Sequence, residues 1–118
     1  GGEVTISAKA GTGIWVVARE IHRLLTGSSG YGAQEQASIR AIAKEIAGHG
    51  VYGAAGSLKE SESYRGGFYF GKNTVISLDS ACLSEIRAVR NEKVRMMQAR
   101  AVRKAEHGIS APRHGLAA

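Results

Sequence analysis

The sequence has few of the residues that stabilise a small protein covalently or anchor it in a membrane. Its 118 residues include one cysteine, Cys82, and one proline. A single cysteine excludes an internal disulfide and a zinc site made of several thiolates. No run approaches the roughly 18 apolar residues of a transmembrane helix, so we expect no membrane-spanning segment. The chain therefore depends on its own core or on a partner for stability.

The chain is rich in glycine and in positively charged residues. It contains 16 glycines, and 16 Lys and Arg residues against 10 Asp and Glu give a formal net charge of +6. This balance favours an acidic partner: nucleic acid, an anionic membrane surface bound peripherally, or an acidic protein complex. The length is that of one domain, which we place at 1–108 with a tail at 109–118. Because the chain starts with glycine and not with methionine, we expect either a processed terminus or a remnant of cloning.

Apolar periodicity predicts short strands and two helices in the first 78 residues. The predicted strands are 3–8, 51–52, 68–70 and 74–78, and the predicted helices are 12–26 and 34–47. Thr12 is the expected N-cap of the first helix and Gly27 its stop. Gly71, Lys72 and Asn73 are predicted to join the last two strands into a hairpin.

A long basic helix is predicted to run to His107, with Asp79 or Ser80 as its N-cap and Gly108 just past its end. Its first half carries an apolar stripe, formed by Cys82, Leu83, Ile86, Val89 and Met97. Its second half has almost no such stripe, so we expect the helix to be docked at its start and to project at its end. The predicted fold is α+β, with two helices packed on a small antiparallel sheet and this long basic C-terminal helix.

The stretch GGFYFGKNT resembles a phosphate-binding loop at Gly66, Gly71 and Lys72. Asn73 stands where that motif needs a hydroxyl for magnesium. The aromatic residues at 68–70 lie inside the motif, and the strand TVISL follows it where a helix should begin. We therefore interpret the stretch as the hairpin. Gly11 and Gly13 are interpreted as a flexible turn before the first helix in preference to an anion site.

The histidines are scattered, at positions 22, 49, 107 and 114. None has a partner at metal-ligand spacing, so no metal site is predicted. A ribonuclease-like site assembled in space from His22 or His49 with Arg and Tyr is the least favoured alternative, since acid-base catalysis needs only one or two such groups.

The basic residues of the long helix are the predicted partner-binding residues. They are Arg87, Arg90, Arg95, Arg100, Arg103 and Lys104. Guanidinium groups make paired hydrogen bonds to carboxylates or phosphates, so these residues suit an acidic cleft of a larger assembly. The competing interpretation is a solvated, frayed helix end.

Cys82 lies in the first turn of the long helix, on its apolar side. A lone cysteine there is most often a small core residue. The helix N-terminus is expected to lower its thiol pKa, which makes it a candidate attachment point for a chromophore.

Residues 61–112 resemble the γ-type linker subunits of red-algal phycoerythrin. The resemblance rests on the aromatic and Gly-Lys hairpin FYFGK, the cysteine that opens a helix, the Arg- and Met-rich stretch VRNEKVRMMQAR, and the basic balance. It implies a non-enzymatic linker seated among acidic light-harvesting or photosystem subunits at the plastid thylakoid, with contact to bilin or chlorophyll. Those linkers use several cysteines for bilins, whereas this chain has Cys82 alone.

The leading hypothesis is thus a non-enzymatic assembly protein that binds acidic subunits through its basic helix. The alternative is a nucleic-acid-binding protein of viral or ribosomal type, whose helix follows the phosphate backbone while Phe68, Tyr69 and Phe70 stack on bases. A small ribonuclease toxin ranks last.

Overall fold

The computed structural model describes residues 3–48, 58–62 and 67–110, the last three by their backbone alone. In chain order the elements are β1 (Val4–Ala8), α1 (Ile14–Thr26), α2 (Ala33–Gly48), β2 (Leu58–Glu60), β3 (Phe68–Phe70), β4 (Thr74–Leu78) and α3 (Ser80–Ser110). The predicted α+β class is confirmed. The strand predicted at 51–52 lies outside the described residues.

The strands pair in a different way from the predicted hairpin. β1 pairs antiparallel with β4, from Val4 opposite Leu78 to Ala8 opposite Thr74. β3 pairs antiparallel with β2, a short polar strand that the sequence analysis missed. β3 and β4 do not pair with each other, so the hairpin prediction was wrong although the bounds of both strands were right.

The segment from β3 to β4 runs as one interrupted strand alongside β1 and the turn after it. An isolated antiparallel bridge joins Gly13 to Tyr69. Each of these residues lies five positions beyond the last β1–β4 pair, Ala8 and Thr74. Between these pairings, Phe70 donates its amide to the Thr12 carbonyl at 2.8 Å and accepts from the Gly11 amide at 2.7 Å. The backbone of Phe70 therefore faces the turn and not β4.

Gly71, Lys72 and Asn73 form the interruption, opposite a turn at 9–12. The Thr12 amide closes that turn on the Lys9 carbonyl at 3.0 Å, and Gly11 has a positive φ of 91°. The side-chain oxygen of Asn73 accepts a hydrogen bond from the Ala10 amide at 2.9 Å, which joins the interruption to the facing turn. Glycine is suited to this turn because other residues adopt such a φ at a cost.

α1 begins and ends at glycines. Gly13 is its N-cap and makes no side-chain hydrogen bond, so the predicted Thr12 cap was wrong. Gly27 ends the helix as predicted: it has a φ of 74°, and its amide donates to the Arg23 carbonyl at 2.7 Å. This left-handed glycine satisfies one of the carbonyls that every helix end leaves unpaired.

The core lies where α1, α2 and the strands meet. Its fully buried side chains come from all three helices and both sheets, and include Ile21, Ile42, Phe70, Ile76 and Ile86. Each such side chain contributes roughly 1.5–3 kcal/mol by leaving water. In β1 and β4 the buried residues alternate with exposed ones, so one face of this sheet covers the core and the other is exposed.

α3 packs on α2 through its first half only. Asp79 caps it, because its carboxylate accepts the Cys82 amide at 2.8 Å. Ile86 and Val94 are buried, Met97 is half-buried, and every residue from 98 to 107 is exposed. The helix continues to Ser110, past the predicted stop at Gly108. The expectation of a docked start and a projecting end is thus confirmed for the described residues.

Candidate functional site

The basic residues predicted to bind a partner lie in three different environments on α3. Arg87 is exposed, Arg90 is half-buried between helices, and Arg95 is exposed and paired within the helix. Arg100, Arg103 and Lys104 are exposed beyond the core. The six residues therefore do not form one surface.

Arg90 points inward and joins α3 to α2. Its Nε donates to the Ser38 hydroxyl at 2.7 Å, and its terminal nitrogen donates to the side-chain oxygen of Asn91 at 2.8 Å. The same hydroxyl lies 2.7 Å from Nδ1 of His22 on α1. Ser38 and His22 are almost completely buried. We call these residues, His22, Ser38 and Arg90, the three-helix network.

The direction of one hydrogen bond in this network follows from the chemistry of its groups. An arginine side chain only donates hydrogen bonds, so the Ser38 oxygen accepts from Arg90. A hydroxyl can also accept a second hydrogen bond or donate its own proton, so the contact with Nδ1 fits either tautomer of a neutral His22 ring. Nε2 of His22 lies 3.5 Å from the Thr26 hydroxyl, too far for a strong hydrogen bond.

Its surroundings favour the neutral form of His22. Burial lowers the pKa of His22 from the usual 6.5, the positive charge of Arg90 lowers it further, and Glu35 acts in the opposite direction. Because both larger causes disfavour the imidazolium ion, the network is stable as an uncharged histidine beside one cation. This arrangement connects the three helices, since the Ser38 hydroxyl contacts both His22 and Arg90.

The three-helix network was missed by sequence reasoning, although the sequence holds a signal for it. Each member stands on the apolar face of its own helix: His22 four residues after Ala18, Ser38 four before Ile42, and Arg90 four after Ile86. Residues four apart share a helix face. Polar residues on apolar faces of three helices indicate that they meet, because buried polar groups are hydrogen-bonded.

Arg95 forms an ion pair along the helix with Glu92, at 2.6 Å, with both side chains mostly exposed. Two hydrogen bonds from the guanidinium lower the pKa of Glu92 and raise that of Arg95. Exposed pairs of this kind contribute little to stability. Arg95 therefore has an acidic neighbour on its own helix and is less suited to an outside carboxylate than the residues beyond it.

The exposed residues 98–107, which we call the distal segment, extend about 15 Å past Met97. Arg100 follows Met97 by three residues and Lys104 follows Arg100 by four. This spacing continues the face that packs on α2 in the first half of α3. The face that is mostly apolar up to Met97, with Arg90 as its polar member, is therefore basic beyond Met97, with Arg103 beside Lys104.

A small cavity of about 200 Å³ between α2 and α3 extends the basic surface onto α2. We call its four cationic residues, Arg40, Lys44, Lys93 and Arg100, the basic groove. The described lining includes no carboxylate, and its apolar part comes from Ala37, Ala41 and two methionines. The basic groove meets the distal segment at Arg100.

Cys82 is half-buried, with its amide held by the Asp79 carboxylate. A hydrogen bond from the thiol to this carboxylate raises the pKa of Cys82, and burial raises it further. The expectation that the helix N-terminus lowers this pKa was wrong, because the capping carboxylate places a negative charge beside the sulfur. Attachment of a chromophore to Cys82 stays a prediction, at a thiol that is kept protonated.

The remaining motif residues are placed in the interior, in strands or outside the described chain. Phe70 is fully buried, so it is unavailable for stacking on a base, while Phe68 and Tyr69 are half-buried. His22 is enclosed in the three-helix network, and His49 lies outside the described residues. The Gly11 amide bonds to the Phe70 carbonyl and does not face an anion.

The environment of Lys72 differs from that of a phosphate loop. Lys72 is exposed in the interruption between β3 and β4, and a strand follows it where a phosphate loop opens a helix. Over residues 3–48, 58–62 and 67–110, no three His, Cys, Asp or Glu side chains converge as a metal site would require.

No protein-family model, curated protein or solved structure matches the chain. The resemblance of residues 61–112 to phycoerythrin linkers therefore stays a prediction from the sequence. Among the described helices, none combines the length and the apolar character needed to cross a membrane.

Proposed function

We propose that the protein is a non-enzymatic assembly protein that binds an acidic surface of a larger complex through the distal segment. The observation that carries this proposal is the change of character along one helix face. Up to Met97 this face is mostly apolar, with Arg90 as its polar member, and beyond Met97 it carries the exposed residues Arg100 and Lys104.

A helix that projects without packing is only marginally stable by itself. Helices are stabilised in proteins chiefly by burying one face, and short isolated segments fray in water. A partner that covers the distal segment supplies the missing face. Since that face is cationic, the complementary partner surface is acidic, with carboxylates that accept paired hydrogen bonds from Arg100 and Arg103.

The basic groove supports a docking surface wider than one helix edge. Arg100 belongs to both the groove and the distal segment, and the groove adds Arg40 and Lys44 from α2. An acidic partner laid along α3 meets cations from two helices, which increases the rate of encounter and fixes orientation.

A binding role agrees better than a catalytic one with the buried polar groups. His22 and Ser38 are a possible acid-base and nucleophile pair by residue type, but both are enclosed in the core and engaged with Arg90. A catalytic group has to reach its substrate directly or through a water. The buried position of these residues supports a structural role for the pair.

On the basis of the resemblance to phycoerythrin linkers, we further propose that the acidic partner is a light-harvesting or photosystem subunit at the plastid thylakoid. Bilin or chlorophyll would then lie near the interface, with Cys82 as the attachment residue. The intact mass of the protein purified from its source tests the last point. An added bilin mass on the peptide that contains Cys82 supports it, and an unmodified peptide contradicts it.

The experiment that tests the main proposal compares two variants that each lose three positive charges. The distal variant carries Arg100→Gln, Arg103→Gln and Lys104→Gln, and the control variant carries Lys9→Gln, Arg23→Gln and Lys72→Gln at exposed positions elsewhere. Each full chain is used to isolate partners from an extract of the source cells, with and without nuclease. Bound proteins and nucleic acids are then identified and quantified.

We expect an acidic protein whose recovery survives nuclease. Its recovery should fall at least about tenfold with the distal variant and less than about twofold with the control, since charge-assisted contacts are lost only in the first. Recovery that nuclease abolishes would replace this proposal by the nucleic-acid alternative. Equal losses with both variants would show that net charge alone drives the association, which also contradicts it.

A further inference from the structure

A large cavity lies between α1, α2 and β3, away from the distal segment. Its volume is about 1080 Å³, which is at the upper end of the range for small-molecule sites. Aromatic side chains contribute to its wall, from Trp15, Tyr31 and Phe68, and apolar residues of both helices form much of the rest. A cavity of this size and lining accommodates a ring system.

The charged groups around this cavity have one sign. Arg19 of α1 and Arg40 and Lys44 of α2 line it, and no carboxylate is among the described lining residues. A neutral apolar ligand would contact the aromatic side chains but would leave the three cations without a counter-charge. An acid or a phosphate attached to the ring would compensate the cations.

Arg19 has hydrogen-bonding capacity that the described residues do not use. One terminal nitrogen donates to the Tyr31 hydroxyl at 2.9 Å, and the guanidinium carbon lies 4.5 Å from the centre of the Tyr31 ring. These two contacts hold the guanidinium in place. Its Nε is buried and has no hydrogen-bond partner among the described residues. Unpaired buried donors are rare in proteins, so this nitrogen indicates a missing acceptor.

We propose that this cavity binds an organic anion built on an aromatic ring, with its acidic group paired to Arg19 and its ring against Trp15 and Phe68. A guanidinium held by Tyr31 is prepared for such a group, because a planar fork matches carboxylate and phosphate oxygens. Arg40 and Lys44 line both this cavity and the basic groove, but Arg19 belongs to this cavity alone, so the site goes beyond the docking function.

The test uses two dyes that differ chiefly in charge: anilinonaphthalene sulfonate, which is an anion, and N-phenylnaphthylamine, which is neutral. Fluorescence titration of the full chain measures the affinity for each. We expect one sulfonate dye per chain, bound at least about tenfold more tightly than the neutral dye. Equal affinities, or many weak sites, would overturn the proposal because they would report apolar surface alone.

Three variants locate the site. Arg19→Gln should weaken the anionic dye about tenfold and leave the neutral dye within about twofold. Ala43→Trp should occupy part of the cavity and weaken both dyes, and Lys72→Gln, an exposed cation elsewhere, should change neither. Thermal unfolding followed by circular dichroism verifies that each variant is folded. An unchanged affinity for the anionic dye in folded Arg19→Gln would overturn the proposal.

Competition with unlabelled ligands then tests whether the acidic group is a phosphate or a carboxylate. Adenosine monophosphate presents a phosphate on an aromatic base, and naphthoate presents a carboxylate on a bare ring. Displacement of the anionic dye by one of them assigns the acidic group, and displacement by both supports an aromatic-anion site of broad specificity. Failure of both to displace the dye would contradict binding of this class of ligand.

Discussion

The two halves of α3 form a single continuous helix and are stabilised by different means. From Ser80 to Met97 the helix is capped by Asp79 and buries Ile86 and Val94. Arg90 bonds to Ser38 of α2, and the Ser38 hydroxyl also contacts His22 of α1. From 98 to 107 every residue is exposed. The comparison shows that helix length alone does not measure how much of a helix belongs to the core. The half without packing is the half whose basic face is available to a partner.

The largest difference between the halves is expected for apolar truncations. Ile86→Ala should lower the free energy of unfolding by about 2–5 kcal/mol, because it leaves a cavity at a fully buried site. Val102→Ala, in the distal segment and 54% exposed, should change it by less than about 0.5 kcal/mol. Urea denaturation measures both. Similar losses for the two variants would show that the distal segment is packed after all.

The next largest effect concerns the three-helix network. Ser38→Ala should cost about 1–3 kcal/mol, because it leaves Nε of Arg90 and Nδ1 of His22 without their partner. Ser84→Ala, at an exposed serine of α3, is the matched control and should be nearly neutral. In the background of Arg90→Gln, Ser38→Ala should cost less, since the two residues are coupled. Additive losses would mean that the hydrogen bond does not tie the helices.

Two exposed alanines of α3 test where the helix contributes to global stability. Ala88→Gly, in the first half, should cost about 1 kcal/mol, the usual penalty for glycine inside a helix. Ala101→Gly, in the distal segment, should cost much less, because a helix end that opens locally is already unfolded when the core unfolds. Equal costs, measured by urea denaturation, would contradict the division at Met97.

The smallest expected effect is a pH dependence of the stability of the chain, which arises from His22 in the three-helix network. Because the pKa of His22 is lower in the folded than in the unfolded chain, the unfolded chain binds a proton more readily. The stability from neutral His22 is therefore present above about pH 6.5 and is lost as the pH falls through the lowered folded value. Stability curves between pH 5 and about pH 8 should show this loss, and His22→Gln should flatten it. A slope that His22→Gln leaves unchanged would place the titrating group elsewhere.

Element bounds were predictable here because they depend on local sequence, whereas pairing was not. The periodicity of α1 and the glycine at its end, and the two strand runs in β3 and β4, are visible within a few residues. Whether Gly71, Lys72 and Asn73 turn the chain or only interrupt a strand depends on the Phe70 backbone, which is bonded to Gly11 and Thr12 about sixty residues earlier. β2 was missed because three mostly polar residues carry no periodic signal.

The candidate site was predictable in part for the same reason. The exposed basic end of α3 follows from the lack of an apolar stripe after Met97. The inward position of Arg90 does not follow from charge, because its partner Ser38 lies on another helix, 52 positions away in the sequence. The raised pKa of Cys82 depends on its hydrogen bond to the Asp79 carboxylate, which opposes the effect of the helix N-terminus on the thiol. Charge patterns thus identify candidates, and contacts decide which of them are available.

Hydrogen exchange of the full chain, alone and in the complex isolated with its partner, tests the central claim most directly. In the free chain we expect slow exchange of α3 amides up to Met97 and fast exchange in the distal segment. On binding, protection should increase chiefly in residues 98–107. Slow exchange of the distal segment in the free chain, or protection that increases only outside α3, would contradict the account.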